Sequence, residues 1–164
     1  MSIRGDEGFP NSTLKEFIEN HLQNYDLRYH DCSIFSEMAY IGEGGFAKVF
    51  KAKCDSPDLG STVALKIIKR VREVTDQDCK NLLNELKIYK RLNFHENVLK
   101  FHGYSCHEEQ FVIILEYADG GTLQRYLEEN FSKMNWNGKI AIAMQISLGI
   151  EYLHAQNVIH RDLV

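Results

Sequence analysis

The sequence predicts an α+β fold: a five-stranded antiparallel sheet carrying one helix, followed by the first helices of an incomplete helical layer. Three observations lead to it. From about Glu37 to Glu116, short runs alternate apolar and polar residues and are broken by glycine, proline and aspartate, the signature of half-buried strands. Within that region Asp76 to Leu92 repeats its apolar residues at helical spacing instead. After Gly120-Gly121 the helical period takes over.

Ahead of the sheet, Thr13 and Glu16 form a T-x-x-E capping box. Leu14, Phe17, Ile18, Leu22 and Tyr25 follow at helical spacing, so a short amphipathic helix is expected within residues 1–34. The first two strands flank Gly42, Gly44 and Gly45, and Lys53 to Thr62, with Asp55, Pro57 and Gly60, reads as a loop. A third strand is expected over Val63 to Lys69, a helix capped by Thr75 and Asp78 up to Leu92, and two more strands over Asn97 to Gly103 and Glu109 to Glu116. A short helix holds Leu123, Tyr126 and Leu127, and a long one runs from Trp136 to His154. The long helix places Ile140, Met144 and Leu148 on one stripe and Ile142, Ile146, Ile150 and Leu153 on the opposite one. A helix apolar on two faces belongs inside a core, so part of its surface is expected to need a covering partner.

Composition narrows the function classes. The net charge of −4 over 164 residues supplies no basic field for nucleic acid or an anionic membrane. The longest apolar run, Phe111 to Leu115, is too short to span a bilayer, and the N-terminus has no stretch of signal-peptide length. Cys32, Cys54, Cys79 and Cys106 are far apart and form no C-x-x-C pair, which fits reduced intracellular thiols, in the cytoplasm or the nucleus, and no structural metal.

Gly42-Glu43-Gly44-Gly45-Phe46-Ala47-Lys48-Val49 fits G-x-G-x-x-G-x-V, with Ala47 at the third glycine. Glycines let backbone N–H groups approach phosphate oxygens with no Cβ between. A dinucleotide fingerprint needs a helix directly after the glycines, and a P-loop ends in Gly-Lys-Ser/Thr. Neither follows here: the glycines join two strands. Alone, the pattern also fits an ordinary glycine-rich hairpin.

In Val63-Ala64-Leu65-Lys66-Ile67-Ile68, the period-two rule puts Lys66 on the face of Ala64 and Ile68. A lysine there either snorkels to water or meets an anion. Glu85 supplies a candidate, because Leu82, Glu85, Leu86, Tyr89 and Leu92 share one helical arc. A carboxylate inside an apolar stripe needs a partner or a route to water.

With Leu115-Glu116-Tyr117-Ala118-Asp119-Gly120-Gly121 and His160-Arg161-Asp162-Leu163 in the same order, the chain resembles a eukaryotic protein kinase of tyrosine-kinase-like flavour from about Phe35 to its end. The resemblance implies an N-lobe and hinge over residues 35–118, the start of a C-lobe over 119–164, and an N-terminal extension over 1–34. It implies that ATP binds under Gly42, Glu43, Gly44, Gly45, Phe46 and Ala47, with Val49 and Ala64 over the adenine. Lys66 would hold the α and β phosphates and pair with Glu85. Leu115 would be the gatekeeper, and the Glu116 carbonyl and Ala118 N–H would meet the adenine edge. Asp162 would be the catalytic base, Arg161 would meet a phosphorylated activation loop, and His160 would be structural. A protein hydroxyl, Ser or Thr before Tyr, would be the substrate.

The Asn after H-R-D-L, D-F-G and A-P-E are absent from the sequence. The ligands of the Mg²⁺ that the resemblance implies are therefore missing. The expectation is a fragment inactive alone. The alternative is a non-catalytic regulator or scaffold that binds a protein partner through its exposed helical surface.

Overall fold

The computed structural model describes residues 27–45, 47–68, 76–107, 110–161 and 163. The helix expected within residues 13–25 lies outside them. The α+β architecture is as expected: β1 (Phe35–Glu43), β2 (Ala47–Cys54), β3 (Thr62–Ile68), α1 (Asp76–Leu92), β4 (Phe101–His107), β5 (Gln110–Glu116), α2 (Leu123–Asn130) and α3 (Trp136–Ala155). The strands form one antiparallel sheet in the order β1-β2-β3-β5-β4.

Alternation along the strands divides the core in two. Ala64, Phe111, Ile113 and Leu115 face α1 and pack with Leu82, Leu83 and Leu86. Val63, Leu65, Val112 and Ile114 face the other side with Ala52 and Leu59. Phe111, Ile113, Ile114 and Leu86 are essentially inaccessible to solvent. Each such side chain contributes about 1.5–3 kcal/mol of burial, which fixes the register of β5 and the rotation of α1.

Two boundaries differ from expectation. β1 begins at Phe35, where Phe35 pairs with Cys54 before a bulge at Glu37 and Met38. β4 covers Phe101–His107 instead of Asn97 to Gly103. The Asn93 side chain brackets its start, accepting from Phe101 N–H at 2.6 Å and donating to Phe101 O at 2.7 Å. Asn97 is drawn to α3 instead, where a Cβ on Gly149 would lie 3.1 Å from the Asn97 carbonyl oxygen. Beside it His95 stacks on Tyr152 at 4.7 Å, and the Tyr152 hydroxyl donates to Arg91 O at 3.2 Å.

Residues ahead of β1 dock on the outer edge of β4. Tyr29 makes a parallel bridge with Tyr104. His30 N–H donates to Tyr104 O at 2.9 Å and Tyr104 N–H to Arg28 O at 3.0 Å. The Ser105 hydroxyl donates to His30 O at 2.7 Å, and His30 is buried. Leu27 packs against the core beneath α1. The strap thus covers backbone groups that an edge strand leaves unpaired. Its close approach depends on Gly103, at φ +141, where a Cβ would stand 2.2 Å from Arg28 O.

Past the sheet, Gly121 turns the chain at φ +75. Thr122 caps α2 by accepting from Arg125 N–H, and Asn135 caps α3 by accepting from Gly138 N–H. α3 ends in a Schellman motif: Asn157 is left-handed at φ +56, its N–H donates to His154 O, and Val158 N–H donates to Leu153 O. Ile140, Met144 and Leu148 stand exposed along one stripe of α3, and Ile146 is exposed on the opposite side. Among the described residues no helix is long and apolar enough to cross a membrane.

Candidate nucleotide site

Directly opposed residues in an antiparallel ladder share a face, and the pairing lines up two rows on the α1 side of the sheet. Gly42, Val49, Lys66, Ile113 and Tyr104 form one row across all five strands. Lys51, Ala64, Leu115 and Phe101 form the next. Ala47 lies opposite Ile68. Val49, Ala64, Lys66 and Leu115 are therefore neighbours on one surface, although the first and the last stand 66 positions apart in the chain.

Lys66 Nζ donates to Glu85 Oε1 at 2.5 Å, with about a third of each side chain still exposed. Burial draws the Lys66 ammonium down, but the hydrogen bond to Glu85 and the adjacent Tyr89 outweigh it, and its pKa lies above the ordinary lysine value. The site thus holds a fixed cation whose partner sits on a separate element, α1. A rotation or shift of that helix would break the pair.

Among the described residues, packing does not explain the glycines before Ala47. A Cβ built on Gly42, Gly44 or Gly45 meets nothing within 4 Å. None of the three is among the positive-φ residues, unlike Gly103 and Gly121. Ala47 is not among them either, so its Cβ costs no backbone strain. The turn is closed by Gly44 N–H donating to Ala47 O at 2.9 Å. Residues without Cβ, on a surface left open by the protein, fit the close approach of phosphate oxygens to the backbone.

At the end of β5, Glu116 N–H donates to Lys100 O, and its carboxylate accepts from Lys100 N–H at 3.2 Å. That leaves its side chain on the face opposite Lys66, since Glu116 pairs with Val63. Ala118 lies exposed in the link beyond. Glu43 pairs with Lys48 at the turn. Phe46 and Asp162 lie outside the described residues. His160 and Arg161 are exposed, and Arg161 takes φ +64, a region that non-glycine residues seldom adopt and that is found at functional turns.

Two further residues lie on this surface, Lys51 and Tyr89. Lys51 falls in the Ala64 row with its Nζ 4.6 Å from the centre of the Tyr117 ring, and period-two counting from Val49 would have found it. Tyr89, four residues after Glu85, lies against the ion pair, with Lys66 Nζ 5.9 Å from its ring centre. A cavity of about 360 Å³ opens at the end of β5 between Asp58, Lys100, His102, Glu116 and Tyr117, and Gly42, Gly44, Gly45 and Lys66 do not line it. Among the described residues no cluster of three or more His, Cys, Asp or Glu could hold a metal ion. The glycine backbone beside the Lys66 ammonium fits the phosphates of a nucleotide.

The family model for protein tyrosine and serine/threonine kinases matches residues 35–164. The chain is 34% identical over 157 residues, 95% of its length, to a protein of Dictyostelium discoideum described as a probable serine/threonine-protein kinase, and covers 28% of that protein. It is 33% identical to the dual specificity testis-specific protein kinase 2 of Rattus norvegicus, over 75% of this chain and 20% of that one. It is 31% identical to LIM domain kinase 1 of Drosophila melanogaster, over 87% and 12%. The chain thus spans less than a third of each of these relatives. With the motifs in order, the sheet that carries them and the match over residues 35–164, the chain belongs to the protein tyrosine and serine/threonine kinase family.

Proposed function

We propose that this chain is the ATP-binding part of a protein kinase that transfers the γ-phosphate of ATP to a protein hydroxyl, serine or threonine before tyrosine. The observation that carries the reading is the Lys66–Glu85 pair on the sheet surface shared with Gly42 and Val49, beside glycines whose missing Cβ atoms would meet none of the described residues. In this reading the backbone from Gly42 through Glu43, Gly44, Gly45 and Phe46 to Ala47 cradles the phosphates, and Lys66 neutralises the α and β phosphates while Glu85 aims it. Val49 and Ala64 cover the adenine, Leu115 limits the depth of the pocket, and the Glu116 carbonyl and Ala118 N–H bond its edge. Asp162 accepts the proton of the substrate hydroxyl as its oxygen attacks the γ-phosphorus and ADP leaves. Bound Mg²⁺ would neutralise phosphate charge, with ligands drawn from outside residues 1–164.

The proposed division is an extension over 1–34, the N-lobe and hinge over 35–118 and the start of the C-lobe over 119–164, working in the cytoplasm as part of a longer protein. The serine/threonine preference rests on the names of the relatives, which are serine/threonine and dual-specificity kinases. A titration of ATP into the wild-type chain and Lys66→Met tests the reading: binding is expected in the first and a loss of tenfold or more, about 1.4 kcal/mol, in the second. Equal affinity would overturn it. The exposed stripe Ile140, Met144 and Leu148 supports a second reading, a non-catalytic scaffold that docks a protein there. A chain extended through D-F-G and A-P-E that binds Mg²⁺-ATP yet transfers no phosphate would favour it.

A further inference from the structure

Tyr89 takes no part in the function proposed above, yet it is placed to act on it. It lies one helical turn after Glu85 on α1, and its ring stacks on Phe101 with centroids 5.6 Å apart and planes 18° from parallel. Phe101 is the β4 partner of Leu115 and is buried. That stack fixes the ring and aims the phenol at the Lys66–Glu85 pair, with Lys66 Nζ 5.9 Å from the ring centre. Burial pushes the phenol's pKa up, Lys66 opposes this and Glu85 reinforces it, so Tyr89 stays a neutral hydroxyl near neutral pH. A neutral hydroxyl has one proton to give and lone pairs to offer. Beside a carboxylate and an ammonium, such a group can donate to the first and accept from the second.

We infer that Tyr89 is a positioning residue whose hydroxyl locks Glu85 and Lys66 together, holding the ammonium charged and aimed at the face where the nucleotide is proposed to bind. The inference rests on that nucleotide reading for its purpose, but the lock itself is a property of the ligand-free protein. A ring acting only through packing would be replaced without loss by phenylalanine. Among the described residues, the titratable groups that act on Lys66 are Glu85 and Tyr89, both from α1. A neutral hydroxyl that accepts from the ammonium favours the charged amine, so without it the Lys66 pKa should fall.

The test is the pH dependence of Lys66 labelling by an amine-directed acylating reagent, read residue by residue by mass spectrometry on the whole chain without nucleotide. Lys80 and Lys87 on the same helix serve as internal references. In Tyr89→Phe the Lys66 profile should move down by about half a pH unit, giving roughly threefold faster labelling between pH 8 and 9, with the references unchanged. Tyr89→Leu, which also removes the stack, should shift it at least as far. A Lys66 profile in Tyr89→Phe that superimposes on wild type, with only Tyr89→Leu altered, would reduce Tyr89 to a packing residue and overturn the inference. Should Tyr89→Phe lose its helical signal, wild-type chain carrying 3-fluorotyrosine provides the same test. A phenol made more acidic at unchanged shape should alter the Lys66 profile, and no change would again overturn the inference. Protection of Lys66 from the reagent by added ATP is a separate arm: its failure would count against the nucleotide reading and leave the lock standing.

Discussion

Adding one methyl group at Gly103 and at Gly45 should have opposite consequences. At Gly103 the new Cβ would stand 2.2 Å from the Arg28 carbonyl oxygen and 3.0 Å from the His30 ring, on backbone at φ +141. The strap must move away, and with it go the hydrogen bonds of His30 N–H, Tyr104 N–H and the Ser105 hydroxyl. At about 1 kcal/mol for each bond, or a comparable total in backbone strain if the strap holds, Gly103→Ala should cost about 3 kcal/mol. That corresponds to a fall in Tm of roughly 6–12 °C for a chain of this size. At Gly45 a Cβ meets nothing within 4 Å. Gly45→Ala should therefore leave stability within about 1 kcal/mol of wild type, or raise it slightly by restricting the unfolded chain. Its effect should appear in ATP affinity, weakened about fivefold (~1 kcal/mol), because the methyl group would stand where the phosphate oxygens are proposed to approach. Thermal unfolding and ATP titration of the two variants read both axes. A Gly103→Ala chain within about half a kcal/mol of wild type would refute the strap as a packed element.

Lys66→Met and Glu85→Gln should each weaken ATP binding, and the double variant should cost less than the sum, with a coupling of about 1 kcal/mol; strict additivity in the titrations would show that the two side chains act separately. Because the Lys66 pKa is raised on folding, its contribution to stability is fully present below the ordinary lysine value of about 10.4 and is lost as pH rises through the folded value. Denaturant midpoints of wild type and Lys66→Met should therefore converge in that alkaline range and stay apart below it. Leu86 is fully buried on the side of α1 that packs on the sheet, so Leu86→Ala should lower unfolding free energy by about 2–5 kcal/mol, measured by urea denaturation. Amides from Ile140 to Leu153 should exchange faster with deuterium than those from Val63 to Ile68, since α3 has exposed apolar side chains on both stripes while β3 is paired on both sides; equal, strong protection in a monomer would show that α3 has a complete core.

The features legible in the sequence are those set by local periodicity. Lys66 and Glu85 stood out because each interrupts an apolar face at a spacing its own element fixes, and the structure places them 2.5 Å apart. The limits of β3, α1, β5 and α3 followed from the same counting to within a residue or two. The strap was not legible. Tyr29 and His30 carry no strand period, and their partners at Tyr104 and Ser105 lie more than 70 residues away, so only the fold creates their role. β4 was misplaced because the side chain that starts it, Asn93, belongs to the preceding turn. Tyr89 was read as one more residue of an apolar stripe, since a tyrosine's ring satisfies the pattern and its hydroxyl acts only once Lys66 is opposite.

Backbone amide NMR with ATP titrated into the chain tests the placement of the nucleotide most directly. Gly42, Gly44, Gly45, Val49, Lys66 and Ala118 should shift together along one binding curve, while Ile140 to Leu148 of α3 stay fixed. Shifts confined to the cavity at Asp58, Lys100 and His102, or to α3, with the glycines unmoved, would contradict a nucleotide held on the α1 face of the sheet.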